Sequence, residues 1–319
     1  RVGRPYRHNC SIEPRVVYLD ESFTLFHGIE FVENQTFGIE LEITSKSGVP
    51  SYGSQVWEQG AKRLISALSD AIGQENVYQT GLHYHGSENA GANTLWRIEA
   101  DSSAGWEVIS PIMLGRQDLA QLIVVCEALE SFVAENNDMF HINHRCGFHL
   151  TLATNLDTPR KRKHMLACVS RLEPGLFTLV SISRLHLFNE VKGKYKRNKY
   201  NAYCIPVSVD INETQRLVDH SRAIASQSDR QSSVNFTKCM GSENLLEVRM
   251  HNGTLDVGKI VPWIALWMSL IMHTSRDGSD HLEGTDLFDQ NNSPELEDLF
   301  ILLKKENITI TDSLMALLF

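Results

Sequence analysis

One pattern limits the folds open to this chain more than any other: charged side chains that alternate with apolar ones. In Phe37–Ile43 the apolar residues occupy every second position, and Glu40 and Glu42 lie between them. Alternation with a period of two predicts a β-strand with one apolar face and one charged face. The two carboxylates then lie on the same side of the strand, ~6.6 Å apart at a rise of ~3.3 Å per residue.

The same alternation recurs in four further segments. These are Leu95–Asp101 with Arg97, Glu99 and Asp101, Trp106–Val108 with Glu107, Gly147–Leu152 with His149, and Leu246–His251 with Glu247, Arg249 and His251. Any one of them is typical of a half-buried strand whose polar face meets water. Solvated strand faces are usually rich in Thr, Ser and Lys, however, whereas these faces contain mainly carboxylates, with arginine and histidine. The five strands together therefore indicate a functional surface.

Carboxylates on one sheet face repel each other unless cations lie between them, so we expect those of separate strands to converge around divalent ions. Oxygen ligands from Asp and Glu suit Mg²⁺ or Mn²⁺ rather than zinc, and substrate phosphates often complete the coordination of Mg²⁺. Arginine binds phosphate oxygens through paired hydrogen bonds. The pattern predicts phosphoryl transfer from a nucleotide, although the sequence contains neither GxxxxGK[ST] nor GxGxxG.

Charge and composition exclude several classes of protein. A net charge of −9 argues against a nucleic-acid partner, and the basic run at 192–199 is too local to reverse this. Six scattered cysteines without CxxC pairing predict reduced thiols and no disulfides. The longest apolar stretch, Ile260–Met272, contains Pro262 and is shorter than the ~20 residues that cross a bilayer, so we expect a buried helix. With no signal segment recognised, these features predict a cytoplasmic protein with no membrane partner; a homo-oligomer is compatible with them.

Helical periodicity predicts five helices outside these strands. They span Gln55–Ile72, Asp118–Ala134, Thr158–Leu172, Ile260–Thr274 and Pro294–Lys305. We expect residues 1–33 to be an extension that adds an edge hairpin, residues 34–275 to be the main domain, and residues 276–319 to be a helical tail.

The strand motifs, in their order and spacing, resemble those of the amidoligase family, which belongs to the carboxylate-amine ligase superfamily with glutamine synthetase and glutamate-cysteine ligase. They are FGIELE at 37–42, WRIEADSS at 96–103, GWEVISP at 105–111, CGFHLTL at 146–152, VNF at 234–236 and LLEVRMHNGTLD at 245–256. The resemblance covers residues 36–274. It implies an α+β fold, an antiparallel β-sheet funnel with helices packed on its outer face, and makes 34–275 a catalytic domain.

The resemblance also implies a reaction: ATP, bound with Mg²⁺ or Mn²⁺, activates a carboxylate as an acyl phosphate, and an amine donor displaces phosphate to form an amide. The carboxylate would belong to an amino acid, a peptide or a protein. Carried over by position, the metal ligands of the family match Glu40, Glu42, Glu107 and Glu247. His149 matches a position near metal or nucleotide phosphate, and Arg249 matches the residue that steadies the γ-phosphoryl group. Arg97 and Asp101 would face the substrate. Asp101 could accept the proton of the amine. One departure is Thr151, where many relatives have a second histidine.

Three other signals have two readings each. The segment Arg184–Tyr203 could be a phosphate or substrate loop, with Arg197 and Tyr200 closing over ATP or an acidic acceptor, or equally a solvated basic loop. Four histidines, His83, His85, His141 and His144, could suggest zinc, but their spacing matches no ligand set and favours structural roles. Cys146 and His149 could form a nucleophile–base pair, but a packed cysteine is the simpler interpretation.

Three functions stay open on this sequence. An ATP-dependent amide-bond-forming ligase is the leading hypothesis. A phosphotransferase on a related fold would form ADP without an amine. A non-catalytic module that binds nucleotide or peptide would be expected to lack a metal carboxylate, and all four are present here.

Overall fold

The computed structural model describes residues 16–20, 26, 28–83, 94–184, 187–189, 194–196, 204–205, 207, 232–240 and 244–274. These residues fall into two compact units. Unit 1 contains Thr36–Leu150 and Asn252–Val261, and unit 2 contains the other described residues. The boundaries expected at residues 34 and 275 stay a prediction.

The described residues form strands and helices in the following order. The strands are β1 (Val16–Tyr18), β2 (Glu30–Val32), β3 (Thr36–Ile43), β4 (Arg97–Asp101), β5 (Gly105–Ile109), β6 (Met113–Leu114), β7 (Gly147–Ala153), β8 (Leu187–Asn189), β9 (Lys194–Lys196), β10 (Val234–Asn235) and β11 (Leu245–Asn252). The helices are α1 (Gln55–Ile72), α2 (Gly115–Glu135), α3 (Pro159–Leu176) and α4 (Val257–Thr274). All five predicted strands and the four predicted helices within the described residues are confirmed, and the coarse α+β class with them. The predicted helix Pro294–Lys305 lies outside the described residues.

In unit 1 the strands are arranged in the order β7-β3-β5-β4, and β6 also pairs with β3. The ladders β3–β5, β4–β5 and β3–β6 are all antiparallel. The apolar residues of the alternating pattern, such as Ile39, Leu41 and Val108, are buried. The charged residues therefore share the opposite face of these strands, as the period of two predicts.

Helix α1 is attached to the strand that contains Glu107. Its Trp57 Nε1 donates to the carbonyl of Gly105 at 2.8 Å, and Trp106 Nε1 donates back to the carbonyl of Trp57 at 2.9 Å. Both indoles are buried, so each N–H needs a partner in the protein interior. Gly60 faces the ring of Trp106, where a Cβ would clash. This close packing fixes β5 on both sides of Glu107.

In unit 2, β10 pairs antiparallel with β11. Helix α4 contains the predicted apolar stretch and begins three residues earlier than expected, at Val257. Among the described residues, α4 is the one helix whose length and composition would allow it to cross a membrane. It is 72% buried within the protein, as the core helix of a soluble domain would also be, so this is weak evidence for a membrane span.

The N-terminal region contains the expected strand pair but not at the edge of the larger sheet. Strands β1 and β2 pair antiparallel as a two-stranded sheet of their own. After β2 the chain turns at once, with the N–H of Gln35 donating to the carbonyl of Val32, so that β3 starts as a separate strand. The basic segment also contains a strand pair, β8 with β9, rather than a loop alone.

Candidate active site

Three glutamates form a row across neighbouring strands of unit 1. Glu42 on β3 lies opposite Glu107 on β5, and Glu107 lies opposite Glu99 on β4. Residues opposite each other in an antiparallel ladder have Cβ atoms ~5 Å apart on the same face. Glu42 and Glu99 are both buried. Like charges in this arrangement are destabilising, so the row favours either a bound cation or a proton on one of its carboxyl groups.

His149 on β7 lies against this row and contacts carboxylates through both ring nitrogens. Its Nδ1 is 3.0 Å from Glu40 Oε2 and 3.9 Å from Glu107 Oε1, and its Nε2 is 3.5 Å from Glu42 Oε1. The imidazole is buried, with 4% of the side chain exposed. The contacts with three glutamates therefore lie in a region where charges are poorly screened.

One ligand atom each from Glu40, Glu107 and His149 lies within 4.8 Å of the other two. Carboxylate oxygens and imidazole nitrogens bind divalent ions at ~2.0–2.3 Å, so atoms at these separations can share one ion. We call Glu40, Glu42, Glu99, Glu107 and His149 the carboxylate–histidine cluster.

Glu107 lies at the centre of the row, where burial and neighbouring negative charge both act on its carboxyl. Burial raises the pKa of its carboxyl well above the usual range, and the charges of Glu40, Glu42, Asp101 and Glu99 raise that pKa further. Both effects oppose ionisation, since burial removes solvent and the neighbours repel a further negative charge. A bound cation would favour the ionised carboxylate and so lower this pKa.

Glu42 is held in place by the backbone of the next strand in unit 1. Its Oε2 accepts a hydrogen bond from the N–H of Gly147 at 2.6 Å, while Oε1 is the oxygen nearest His149. Behind Gly147, the N–H of Gly253 donates to the carbonyl of Cys146 at 2.7 Å. A Cβ on Gly253 would lie 2.6 Å from Cys146 Cβ and 3.0 Å from its backbone. Glycine in the HNGTLD segment thus lets the chain approach the strand start that orients Glu42.

Arg97 and Asp101, predicted on the substrate side, lie at the two ends of β4. Arg97 Nε is 2.6 Å from Glu99 Oε1, and its Nη1 donates to the carbonyl of Ser110 at 3.4 Å. Asp101 Oδ1 accepts bonds from the N–H groups of Ser103 and Ala104, both at 2.7 Å, and from the Ser103 hydroxyl at 2.5 Å. Asp101 therefore also closes the turn between β4 and β5.

Glu247 and Arg249 belong to unit 2, where they form a hydrogen-bonded set with Asn235. Glu247 Oε1 accepts from Arg249 Nη1 at 2.6 Å, and its Oε2 accepts from Asn235 Nδ2 at 2.7 Å. Asn235 lies opposite Glu247 in the β10–β11 ladder, and its Oδ1 accepts from the N–H of Thr237 at 3.0 Å. The orientation of the Asn235 amide is thus fixed. We call these three residues the Glu247 set.

The structure brings together Glu40, Glu42, Glu107 and His149 of the predicted site residues, and it pairs Glu247 with Arg249. Arg197 and Tyr200 lie outside the described residues. In the described part of the chain, the single group of side chains with metal-ligand spacing includes none of His83, His141 and His144. His85 is not described. The five described cysteines, Cys126, Cys146, Cys168, Cys204 and Cys239, are buried thiols that take part in no disulfide among the described residues.

Two residues of these clusters were not assigned a role from sequence. Glu99 shares a strand face with Arg97 and Asp101, but only the ladder register shows that it lies opposite Glu107. Asn235 lies in the VNF motif. The signal that could have identified it is a side-chain amide on a short strand just before the strand of Glu247. An amide that donates to a buried carboxylate can orient it without adding charge.

Residues 33–271 match the model of the family described as "Putative amidoligase enzyme". The match covers the cluster of unit 1 and the Glu247 set. No curated protein matches the sequence. The predicted family is thereby confirmed.

Proposed function

The chain belongs to the amidoligase family, and on that premise we propose that it is an ATP-dependent carboxylate-amine ligase that forms an amide through an acyl phosphate. The carboxylate–histidine cluster is the observation that most supports this function. A family of amide-bond ligases needs an energy source to activate a carboxylate, and ATP with a divalent cation supplies it.

The cluster fits Mg²⁺ or Mn²⁺ in its chemistry. Four glutamates and one histidine offer mostly oxygen ligands, and burial together with the neighbouring carboxylates raises the pKa of Glu107, so a cation at this position would be favourable. Glu40, Glu107 and His149 would hold the ion, with Glu42 and Glu99 beside them. A bound cation would neutralise charge on the nucleotide phosphates and on the transferring phosphoryl group.

The side chains around the cluster have distinct proposed tasks. The hydrogen bond from Gly147 orients Glu42, so that its Oε1 is kept toward His149. Arg97, paired with Glu99, is proposed to bind the substrate carboxylate through guanidinium hydrogen bonds. Arg249, paired with Glu247, is proposed to steady the γ-phosphoryl group, and Glu247 to be a further metal ligand.

The proposed reaction has two steps. A carboxylate oxygen of the acceptor attacks the γ-phosphorus of ATP, the bond to the β-phosphate oxygen breaks, and ADP leaves. The amine nitrogen then attacks the acyl carbon, phosphate leaves, and the nitrogen loses a proton. Asp101 is proposed to take that proton through Oδ2, because Oδ1 already accepts three hydrogen bonds.

The test uses the purified chain with Mg-ATP and a pool of amino acids and peptides. We expect ADP and phosphate only when both a carboxylate and an amine are present, with a product whose mass is their sum less one water. Glu42→Gln should abolish turnover, whereas Glu135→Gln, at an exposed position on α2, should not. ADP formed without an amine would instead favour a phosphotransferase, and unchanged turnover in Glu42→Gln would refute the cluster as the site.

A further inference from the structure

Glu173 on α3 is a carboxyl group buried in unit 2, away from any predicted role. Only 3% of the residue is exposed. Its Oε2 accepts a hydrogen bond from the backbone N–H of Val207 at 2.8 Å, and its Oε1 accepts one from the hydroxyl of Ser233. These partners are 34 and 60 residues further along the chain, so one side chain joins α3 to two distant segments.

Ser233 in turn connects these segments to β11. Its N–H donates to the carbonyl of Ile205 at 2.8 Å, and its carbonyl accepts from the N–H of Arg249 at 2.7 Å. Two residues later, Asn235 lies opposite Glu247 and donates to its carboxylate. An unbroken series of hydrogen bonds and backbone therefore leads from Glu173 to the Glu247 set.

A carboxyl group is a costly choice for this position. Burial raises the pKa of Glu173 to about 8, against the lowering effect of the bonds from Ser233 and Val207. Glu173 also acts electrostatically on the buried Cys204 thiol, as do Arg184 and Arg249. Cys204 itself has a φ of 66°, a conformation that non-glycine residues rarely adopt. An apolar residue would avoid the desolvation cost but could accept neither bond.

We propose that Glu173 is a positioning residue. By binding Val207 and Ser233 to α3 it holds β10 in register with β11. Asn235, Glu247 and Arg249 thereby keep their hydrogen-bonded arrangement. The proposal rests on the ligase function in one respect: the Glu247 set is taken to serve phosphoryl transfer. The positioning itself is a structural claim and can be tested without turnover.

The decisive measurement is hydrogen exchange at the amide of Arg249, which donates to Ser233. In Glu173→Ala both side-chain bonds are lost, and we expect exchange to become about tenfold faster, the effect of losing ~1.4 kcal/mol of local stability. Glu173→Gln keeps an acceptor for Val207 and a donor or acceptor for Ser233. Exchange at the Arg249 amide in this variant should therefore stay within about threefold of the rate in the unmodified protein. Turnover of Mg-ATP should fall about tenfold in Glu173→Ala through kcat and recover in Glu173→Gln.

Thr274→Val is the matched control, because it also removes buried hydrogen bonds of unit 2, those from Thr274 to the carbonyls of Leu270 and Ile271. It should leave Arg249 exchange unchanged when stability is matched with denaturant. If Glu173→Ala does not fold, Ser233→Ala removes one of the two bonds and should accelerate the same amide about threefold.

Unchanged Arg249 exchange in the folded Glu173 or Ser233 variant, or equal acceleration in Thr274→Val, would overturn the proposal. Accelerated exchange in a Glu173→Ala variant that keeps its full kcat would also overturn it, since the displaced residues would then not serve the reaction. If the unmodified protein lacks turnover altogether, the ligase function fails, and the exchange rates still decide the positioning claim.

Discussion

Glu42 and Glu107 lie directly opposite each other on neighbouring antiparallel strands, and Glu99 extends the row on the far side of Glu107. Carboxylates placed in this way cost folding free energy as long as no cation is bound. Functional sites commonly reduce stability in this manner.

Glu107→Gln should make the metal-free protein more stable. The amide removes a charge that burial and four neighbouring carboxylates oppose, so we expect a gain of the order of 1 kcal/mol in the free energy of unfolding in EDTA. The same variant should be stabilised less by Mn²⁺, because it lacks one of the proposed ligands. Urea unfolding with and without Mn²⁺ measures both effects, with Glu135→Gln as the control. A loss of stability in EDTA would contradict the assigned repulsion.

The affinity for Mn²⁺ should keep rising with pH even at pH values where an ordinary carboxyl group is already fully ionised. The pKa of Glu107 is raised in the metal-free protein, so binding must release its proton, and low pH opposes this release. Calorimetric titration in buffers of different ionisation enthalpy measures the proton release directly. In Glu107→Gln the proton release should decrease. An affinity that stops rising at about pH 5 would count against Glu107 as a ligand.

Gly253→Ala should destabilise unit 1, because the added Cβ would meet Cys146, whose backbone carbonyl and carbon cannot move aside independently. We expect a cost of ~1–3 kcal/mol, as for other overpacked positions. Gly38→Ala is the control, since its nearest atom would be Ser110 Oγ at 3.6 Å, an ordinary contact. Thermal unfolding of both variants makes the comparison, and equal midpoints would show that the approach of Gly253 to Cys146 is not tight.

Glu173 should make the stability of the protein depend on pH. Its pKa is about 8 in the folded state and near 4.5 in the unfolded state, so the folded state binds the proton more tightly. This contribution is fully present below about pH 4.5 and is lost as pH rises through about 8. Glu173→Gln should therefore gain stability relative to the unmodified protein between about pH 5.5 and about pH 8. Urea unfolding at these two pH values tests this, and parallel stabilities would refute the raised pKa.

The alternation of residues revealed the strands and their charged faces, because a strand's side-chain period is independent of its partners. Strand order depends on long-range pairing, so the position of Glu107 between Glu42 and Glu99 required the structure. Helix α1 spans the predicted Gln55–Ile72, because its apolar residues recur at helical spacing and Gly73 marks its end; the Ser54 cap at its start is seen in the structure.

At two of the helix boundaries that differ from the prediction, tertiary or capping contacts override local signals. Helix α2 begins at Gly115 rather than Asp118, since the Asp118 carboxylate reaches back to accept from the N–H of Leu114. Helix α3 continues to Leu176 through Pro174 and Gly175, where burial of Leu176 outweighs two residues that usually end helices.

Asp101 illustrates a limit on predicting roles from a strand pattern. The alternation places Asp101 on the charged face, which favours a catalytic role. In the structure, however, it accepts hydrogen bonds from Ser103 and Ala104 in the turn that follows. A turn role of this kind is encoded by the residues after the aspartate, because Asp accepts from backbone N–H groups two and three positions on.

Pulsed electron paramagnetic resonance of bound Mn²⁺ tests the central claim most directly. The carboxylate–histidine cluster predicts that an imidazole nitrogen of His149 is coupled to the ion in the unmodified protein. In His149→Gln this coupling should be lost, although Mn²⁺ should still bind with lower affinity. Bound Mn²⁺ with no nitrogen coupling, or with a coupling that persists in His149→Gln, would contradict the account.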